Sequence, residues 1–151
     1  MNNEVAEEMR IGDLARRARV TPRTLRYYES LGLLQPAARR SGGFRLYDEQ
    51  AVGRLERIRQ LKELLGFSLG EVRQILRSED AVQEIRARYL GTEDAGLRAD
   101  LLRQAMALAD AQRELVRRKL AGLQAMDDEI AERQGRIRQL LRTTGADERQ
   151  G

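Results

Sequence analysis

The stretch "TPRTLRYYESLGLL", residues 21–34, decides the reading of the chain. Thr21 followed by Pro22 is a helix start: the threonine hydroxyl takes an orphan backbone N–H, and proline at the first helical position has none to lose. The helix runs to about Leu31 and stops at Gly32, which suits a left-handed residue just past a helix end. Leu25 and Leu31 fall on the core side, with one tyrosine ring partly buried beside them. Arg23, Thr24, Arg26 and a tyrosine hydroxyl from the Tyr27–Tyr28 pair then lie at or near the outer face. Upstream, "MRIGDLARRARV", residues 9–20, places Ile11, Leu14, Ala15 and Ala18 at helical spacing with Arg16, Arg17 and Arg19 off that face. Two short helices joined by a tight turn, the second opening with polar and basic residues, read as a helix-turn-helix over about residues 12–31.

Working outward, "PAARRSGGFRLY" follows at residues 36–47. Ser41-Gly42-Gly43 supplies a tight turn, and Phe44 and Leu46 alternate with Arg45 and Tyr47. The pattern predicts a small β-hairpin wing over about residues 37–47, with Arg39, Arg40, Arg45 and Tyr47 on its polar side. From Asp48 a helix resumes with Val52, Leu55, Ile58, Leu61 and Leu65 at steps of three or four, ending at Gly66. Ser68 caps a further helix whose Leu69, Val72, Ile75 and Leu76 face inward, with Glu71 at the capping-box position. Residues 9–78 therefore form one winged helix-turn-helix domain. Residues 79–96 read as a short linking helix, with Val82, Ile85 and Tyr89 on one face, and a polar turn.

From residue 97 to 142 there is no proline, and Leu102, Ala109, Val116, Leu123, Ile130 and Ile137 recur every seven residues. Their companions three residues on, Ala105, Gln112, Lys119, Met126, Arg133 and Leu140, are apolar at both ends and, Met126 apart, polar in the middle. A helix of that span is about 70 Å long, too long to bury against a small domain. The seam calls for another helix, supplied by a second copy of the chain. Residues 143–151 read as a flexible tail.

Composition narrows the function. The chain of 151 residues has no cysteine and no histidine, which removes disulfides, thiolate and imidazole metal ligands and the usual general base. No enzyme, metal centre or cofactor is expected. No apolar run reaches membrane length and the N-terminus is acidic, so the sequence predicts a cytoplasmic protein. The net charge of +4 is unevenly spread: residues 1–9 carry −3, residues 10–62 carry +8 and residues 63–151 carry −1. Positive charge gathered in one block is the footprint of a polyanion-binding module. Arginine bonds guanine edges or clamps phosphates, and tyrosine and threonine hydroxyls bond phosphate oxygens. A phage-type excisionase or architectural DNA-binding protein shares the winged helix but not the long helix. A coiled-coil scaffold explains the long helix but not the basic block.

"IGDLARRARVTPRTLRYYESLGLLQP", "RRSGGFRLY" and "LGFSLGEV" resemble, in order and spacing, three successive signatures of MerR-type transcriptional regulators. The resemblance covers roughly Met9 to Arg77, and a long helix follows at the expected place. It implies a mainly α fold, a winged helix-turn-helix followed by a dimerisation helix in an antiparallel coiled coil. It also implies a homodimer on a palindromic operator in double-stranded promoter DNA, distorting that DNA so that RNA polymerase can use it. By the same resemblance Thr21, Arg23, Thr24, Arg26, Tyr27 and Tyr28 contact DNA from the recognition helix, and Arg39, Arg40, Arg45 and Tyr47 contact phosphates from the wing.

Two positions depart from the pattern. Arg19 stands where relatives have glycine, so the turn must avoid left-handed φ or accept strain. Glu63 stands where many have a basic residue, leaving Lys62 or Arg59 to supply the second wing's contact. Metal- and redox-sensing relatives use cysteines that this chain lacks, and the carboxylates of Glu93, Asp94 and Asp100 would hold only a hard cation. Val82, Ile85, Tyr89 and Leu90 could line a modest apolar ligand site, but packing against the DNA-binding domain explains the first three more simply. No effector is assigned.

Overall fold

The computed structural model describes residues 8–39 and 42–147. The chain divides into two compact units, Met1–Glu93 and Asp94–Gly151.

The first unit opens with a two-residue strand, β1 (Met9–Arg10), then α1 (Ile11–Ala18) and α2 (Pro22–Ser30). Strands β2 (Ala38–Arg39) and β3 (Arg45–Tyr47) follow, then α3 (Glu49–Arg59). The sheet has the order β1-β3-β2, all antiparallel, with Met9 opposite Tyr47 and Ala38 opposite Leu46. The sequence predicted the β2–β3 hairpin but not β1. Two residues are too few to show the alternation by which a strand is recognised. Under the sheet and helices lies a core of Leu14, Leu25, Leu33, Tyr47, Ile58 and Ile75, each almost wholly buried. Burying a leucine or isoleucine side chain contributes about 1.5–3 kcal/mol, so this small core is enough to hold α1 and α2 in register.

Asp48 caps α3 by accepting the Ala51 N–H at 3.2 Å. The helix then widens into a π turn at Gln60–Leu64, where the Leu65 N–H reaches back to the Gln60 carbonyl at 3.1 Å. The extra residue in that turn shifts the apolar stripe. Leu65, expected in the core, is 48% exposed, and Phe67 is buried in its stead.

Ser68 and Glu71 make the expected capping box, with the Glu71 N–H donating to Ser68 Oγ at 3.2 Å and the Ser68 N–H to Glu71 Oε2 at 2.8 Å. The helix they start, α4 (Leu69–Leu90), is one continuous element. The break expected after Ser78 is corrected: no glycine or proline interrupts between Gly70 and Gly91. Side chains from α3 also hold the middle of α4. Arg54 makes a two-pronged ion pair with Asp80 at 2.6 and 2.9 Å and donates to the Leu33 carbonyl at 2.9 Å. Arg57 bonds Glu79 at 2.5 Å. Ile85 is buried on α4, Val82 and Tyr89 are half-buried, and Leu90 is exposed.

The second unit is a single helix, α5 (Ala95–Asp147), 53 residues long. Asp94 caps it, accepting the Leu97 N–H at 2.7 Å. The helix continues through 143–147, part of the segment expected as a flexible tail, and Thr143 Oγ donates to the Leu140 carbonyl at 2.9 Å. Residues 148–151 lie outside the described residues. Among the described residues, no helix is long and apolar enough to cross a membrane.

Candidate nucleic-acid interface

Two well-satisfied ends orient α2. At its start Thr21 Oγ accepts the Thr24 N–H at 3.1 Å and shares a hydrogen bond with Thr24 Oγ at 2.9 Å. Thr21 and Thr24 thus spend hydrogen-bonding capacity on the cap as well as standing at the outer edge. At the far end Gly32 takes φ 71°, and the N–H groups of Gly32 and Leu33 donate to the Glu29 and Tyr28 carbonyls. With most of its end groups partnered, a nine-residue helix is rigid enough to present side chains.

Leu25 and Tyr28 face inward, while Arg23, Arg26 and Tyr27, at i, i+3 and i+4, are exposed together. Tyr27 is 52% exposed and Tyr28 only 8%, so the adjacent phenols divide between surface and core. For Tyr28, expected among the DNA contacts, the structure shows a ring used for packing.

The turn ahead of α2 resolves the question posed by Arg19. It accepts the strain, at φ 56° and ψ 42°. The Arg19 N–H donates to the Arg16 carbonyl at 3.3 Å, and the Val20 N–H to that of Ala15 at 3.0 Å. The left-handed residue is what lets both bonds close α1.

The wing is tied to the recognition helix through Glu29, a residue that sequence reasoning missed. Its carboxylate, 12% exposed, accepts Arg45 Nε at 3.2 Å and also the Tyr47 hydroxyl. Burial, and then the hydrogen bond to this carboxylate, push the Tyr47 phenol well above the ordinary tyrosine range. Tyr47 is fully buried, so the expectation that it contacts phosphate is corrected. It is a core residue that anchors β3. The sequence offered Arg26, three residues earlier on the same helix, as the evident partner for Glu29 and gave no sign of the distant Arg45 and Tyr47 that engage it.

Arg45 stays half-exposed. The Arg39 backbone pairs with Arg45 across the sheet; the Arg39 side chain and the whole of Arg40 lie outside the described residues. Lys62 and Glu63 are both exposed on the π turn, and Arg59 lies 3.9 Å from Glu56.

On α5 the heptad positions Leu102, Ala109, Val116, Leu123, Ile130 and Ile137, with Met126, are all exposed in the single protomer. The row from Leu102 to Ile137 runs about 50 Å along the helix.

Residues 9–79 match the family model of MerR helix-turn-helix regulatory proteins. The chain is 29% identical over 137 residues to the HTH-type transcriptional regulator YfmP of Bacillus subtilis, covering 91% of this chain and 98% of that protein. It is 49% identical over 67 residues to the HTH-type transcriptional regulator ZntR of Escherichia coli, spanning 44% of this chain and less than half, 47%, of that one. Among solved structures, the transcription regulator PbrR691 of Ralstonia metallidurans, crystallised in complex with lead(II), is 35% identical, with a TM-score of 0.46, covering 82% of this chain and 84% of that one. The segment matched by the family model is the one that builds the helix-turn-helix and its wing. The chain belongs to the MerR family and is a DNA-binding regulator of transcription.

Proposed function

We propose that the protein acts as a homodimer on an inverted-repeat operator in promoter DNA, joined by antiparallel pairing of α5. Each protomer sets α2 into the major groove of one half-site. Arg23 reads base edges; Arg26 and Tyr27 hold phosphates together with Thr21 and Thr24. Arg45, Arg39 and Arg40 on the wing and Lys62 on the π turn add backbone contacts. Binding bends or untwists the DNA between half-sites, which changes its use by RNA polymerase. The protein works by position and deformation in the cytoplasm and performs no catalytic step.

The observation that carries this reading is the face of α2: Arg23, Arg26 and Tyr27 exposed together on a helix capped at both ends and seated on a buried core. The α5 row supports the dimer, because a long exposed apolar stripe on a soluble helix is a surface that calls for a partner helix.

A gel shift and nuclease footprint on the DNA upstream of the protein's own gene tests the reading. An inverted-repeat footprint with hypersensitive base pairs at its centre is expected. Arg26→Ala weakens binding to all duplexes, and Arg23→Ala weakens operator binding more than non-specific binding. An operator that is bound without central distortion overturns the proposed mechanism.

A further inference from the structure

Three arginines from separate elements converge on one open cleft. Arg10 of β1, Arg26 of α2 and Arg45 of β3 line about 490 Å³ between the wing and the start of α1, together with Asp13, Gly43 and Phe44. Asp13 is engaged by Arg16, and Arg45 by Glu29. Among the described residues, neither Arg10 nor Arg26 has a carboxylate within ion-pair distance. The cleft therefore holds an excess of positive charge with N–H donors to spare.

Phe44 explains how one of these groups is held. Its ring is 60% exposed at the wing, and the Arg10 guanidinium lies over it, 5.4 Å from the centroid. An exposed aromatic ring binds a cation through its negative face, and stacking leaves the edge of the guanidinium fork free to donate. A fork held this way suits an anion with several acceptor oxygens, and phosphate is the matching group. Arg26 lies both on the exposed face of α2 and in the cleft, so an anion seated there lies beside the recognition helix. The polyanion that reaches that place is the DNA backbone.

We propose that Arg10, held by Phe44, forms with Arg26 and Arg45 a seat for one backbone phosphate of the operator, a contact made from the strand ahead of the helix-turn-helix. The proposal rests on the DNA-binding reading above and adds Arg10 and Phe44 to the interface.

The test measures binding of the full-length protein to operator and to scrambled duplex across a salt series, with phosphate-ethylation interference on the operator. Arg10→Ala is expected to lower affinity for both duplexes by the same factor, roughly five- to tenfold. It should also reduce the salt slope by about 1 for each Arg10 engaged, hence about 2 for a dimer. One phosphate in each half-site whose ethylation blocks the wild type becomes silent in the variant. Phe44→Ala gives a smaller loss in the same direction. Arg10→Gln, which keeps most of the side-chain stem, replaces Arg10→Ala if a thermal melt shows the alanine variant unfolding early.

An unchanged salt slope and an unchanged interference pattern in a folded Arg10 variant overturn the proposal while leaving the DNA-binding reading intact. A wild type that binds no duplex overturns both. Inorganic phosphate that raises the melting temperature of the wild type but not of the Arg10 variant, with DNA affinity equal in the two, assigns the seat to a free anion and also overturns it.

Discussion

Arg19 is the only non-glycine residue with positive φ among the described residues, and its side chain is exposed. A left-handed backbone costs a residue with a Cβ about 1–2 kcal/mol. Glycine removes that cost but loses roughly 0.5–1 kcal/mol of chain entropy. Arg19→Gly is therefore expected to stabilise the protein by roughly 0.5–1 kcal/mol, read as a higher urea midpoint at unchanged m-value; a lower midpoint would contradict the strain argument. Tyr47 gives a test with pH. Its phenol is held protonated in the fold by burial and by Glu29, so its folded value lies above the unfolded value of about 10. The sign follows from proton counting: its contribution is fully present below pH 10 and is lost as pH rises towards the higher folded value. Above pH 10 the wild type should lose stability faster than Tyr47→Phe, by up to about 1.4 kcal/mol per pH unit. Parallel curves from pH 9 to 11 would show that Tyr47 is not held in this way. At this scale the sequence revealed which types of residue crowd α2, but not which tyrosine turns inward. Neighbouring positions on a helix differ by 100°, and burial of Tyr28 against exposure of Tyr27 depends on where the core lies.

Local chemistry determines where most elements start. Thr21-Pro22, Asp48 and Ser68 with Glu71 are caps whose partners lie within three residues; the first and last were read from the chain alone, and at Asp48 the helix start was read without its cap. Elements whose cause is distant were not legible. The two-residue β1 exists because β3 offers it an edge, and the π turn at Gln60–Leu64 leaves no mark in the sequence pattern. The continuity of α4 past Ser78 is supported by ion pairs with Arg54 and Arg57, residues more than twenty positions earlier. On α5 the seven-residue repeat was plain, and the proposed pairing of its exposed face is open to direct test. Leu123→Glu or Ile130→Glu would place an unpaired carboxylate in an apolar seam, which costs several kcal/mol. Each is expected to abolish the dimer at micromolar concentration by light scattering while leaving helicity largely intact. Dimers that persist in both variants would move the seam elsewhere on the helix.

For the whole molecule, the segregation of charge gives the broadest prediction. Binding to any duplex should fall steeply with salt, because each phosphate neutralised by the basic block releases counterions. With six to ten phosphates engaged, affinity is expected to drop about 10³- to 10⁵-fold between 50 and 200 mM salt, as measured by fluorescence anisotropy. A nearly flat response would place the basic block outside the interface. By itself the sequence determined the mainly helical class, the helix-turn-helix with its wing, the long helix with its apolar repeat and the concentration of charge in residues 10–62. These rest on short-range rules, namely capping, turn chemistry and periodicity, which act between residues a few positions apart. Only the tertiary structure decided that Tyr47 anchors the wing from within, that Glu29 ties that wing to the recognition helix, and that Arg10 meets Arg26 and Arg45 in one cleft. Such pairings join residues separated by up to 35 positions. They depend on how strands and helices pack in space, which no local pattern in the chain encodes.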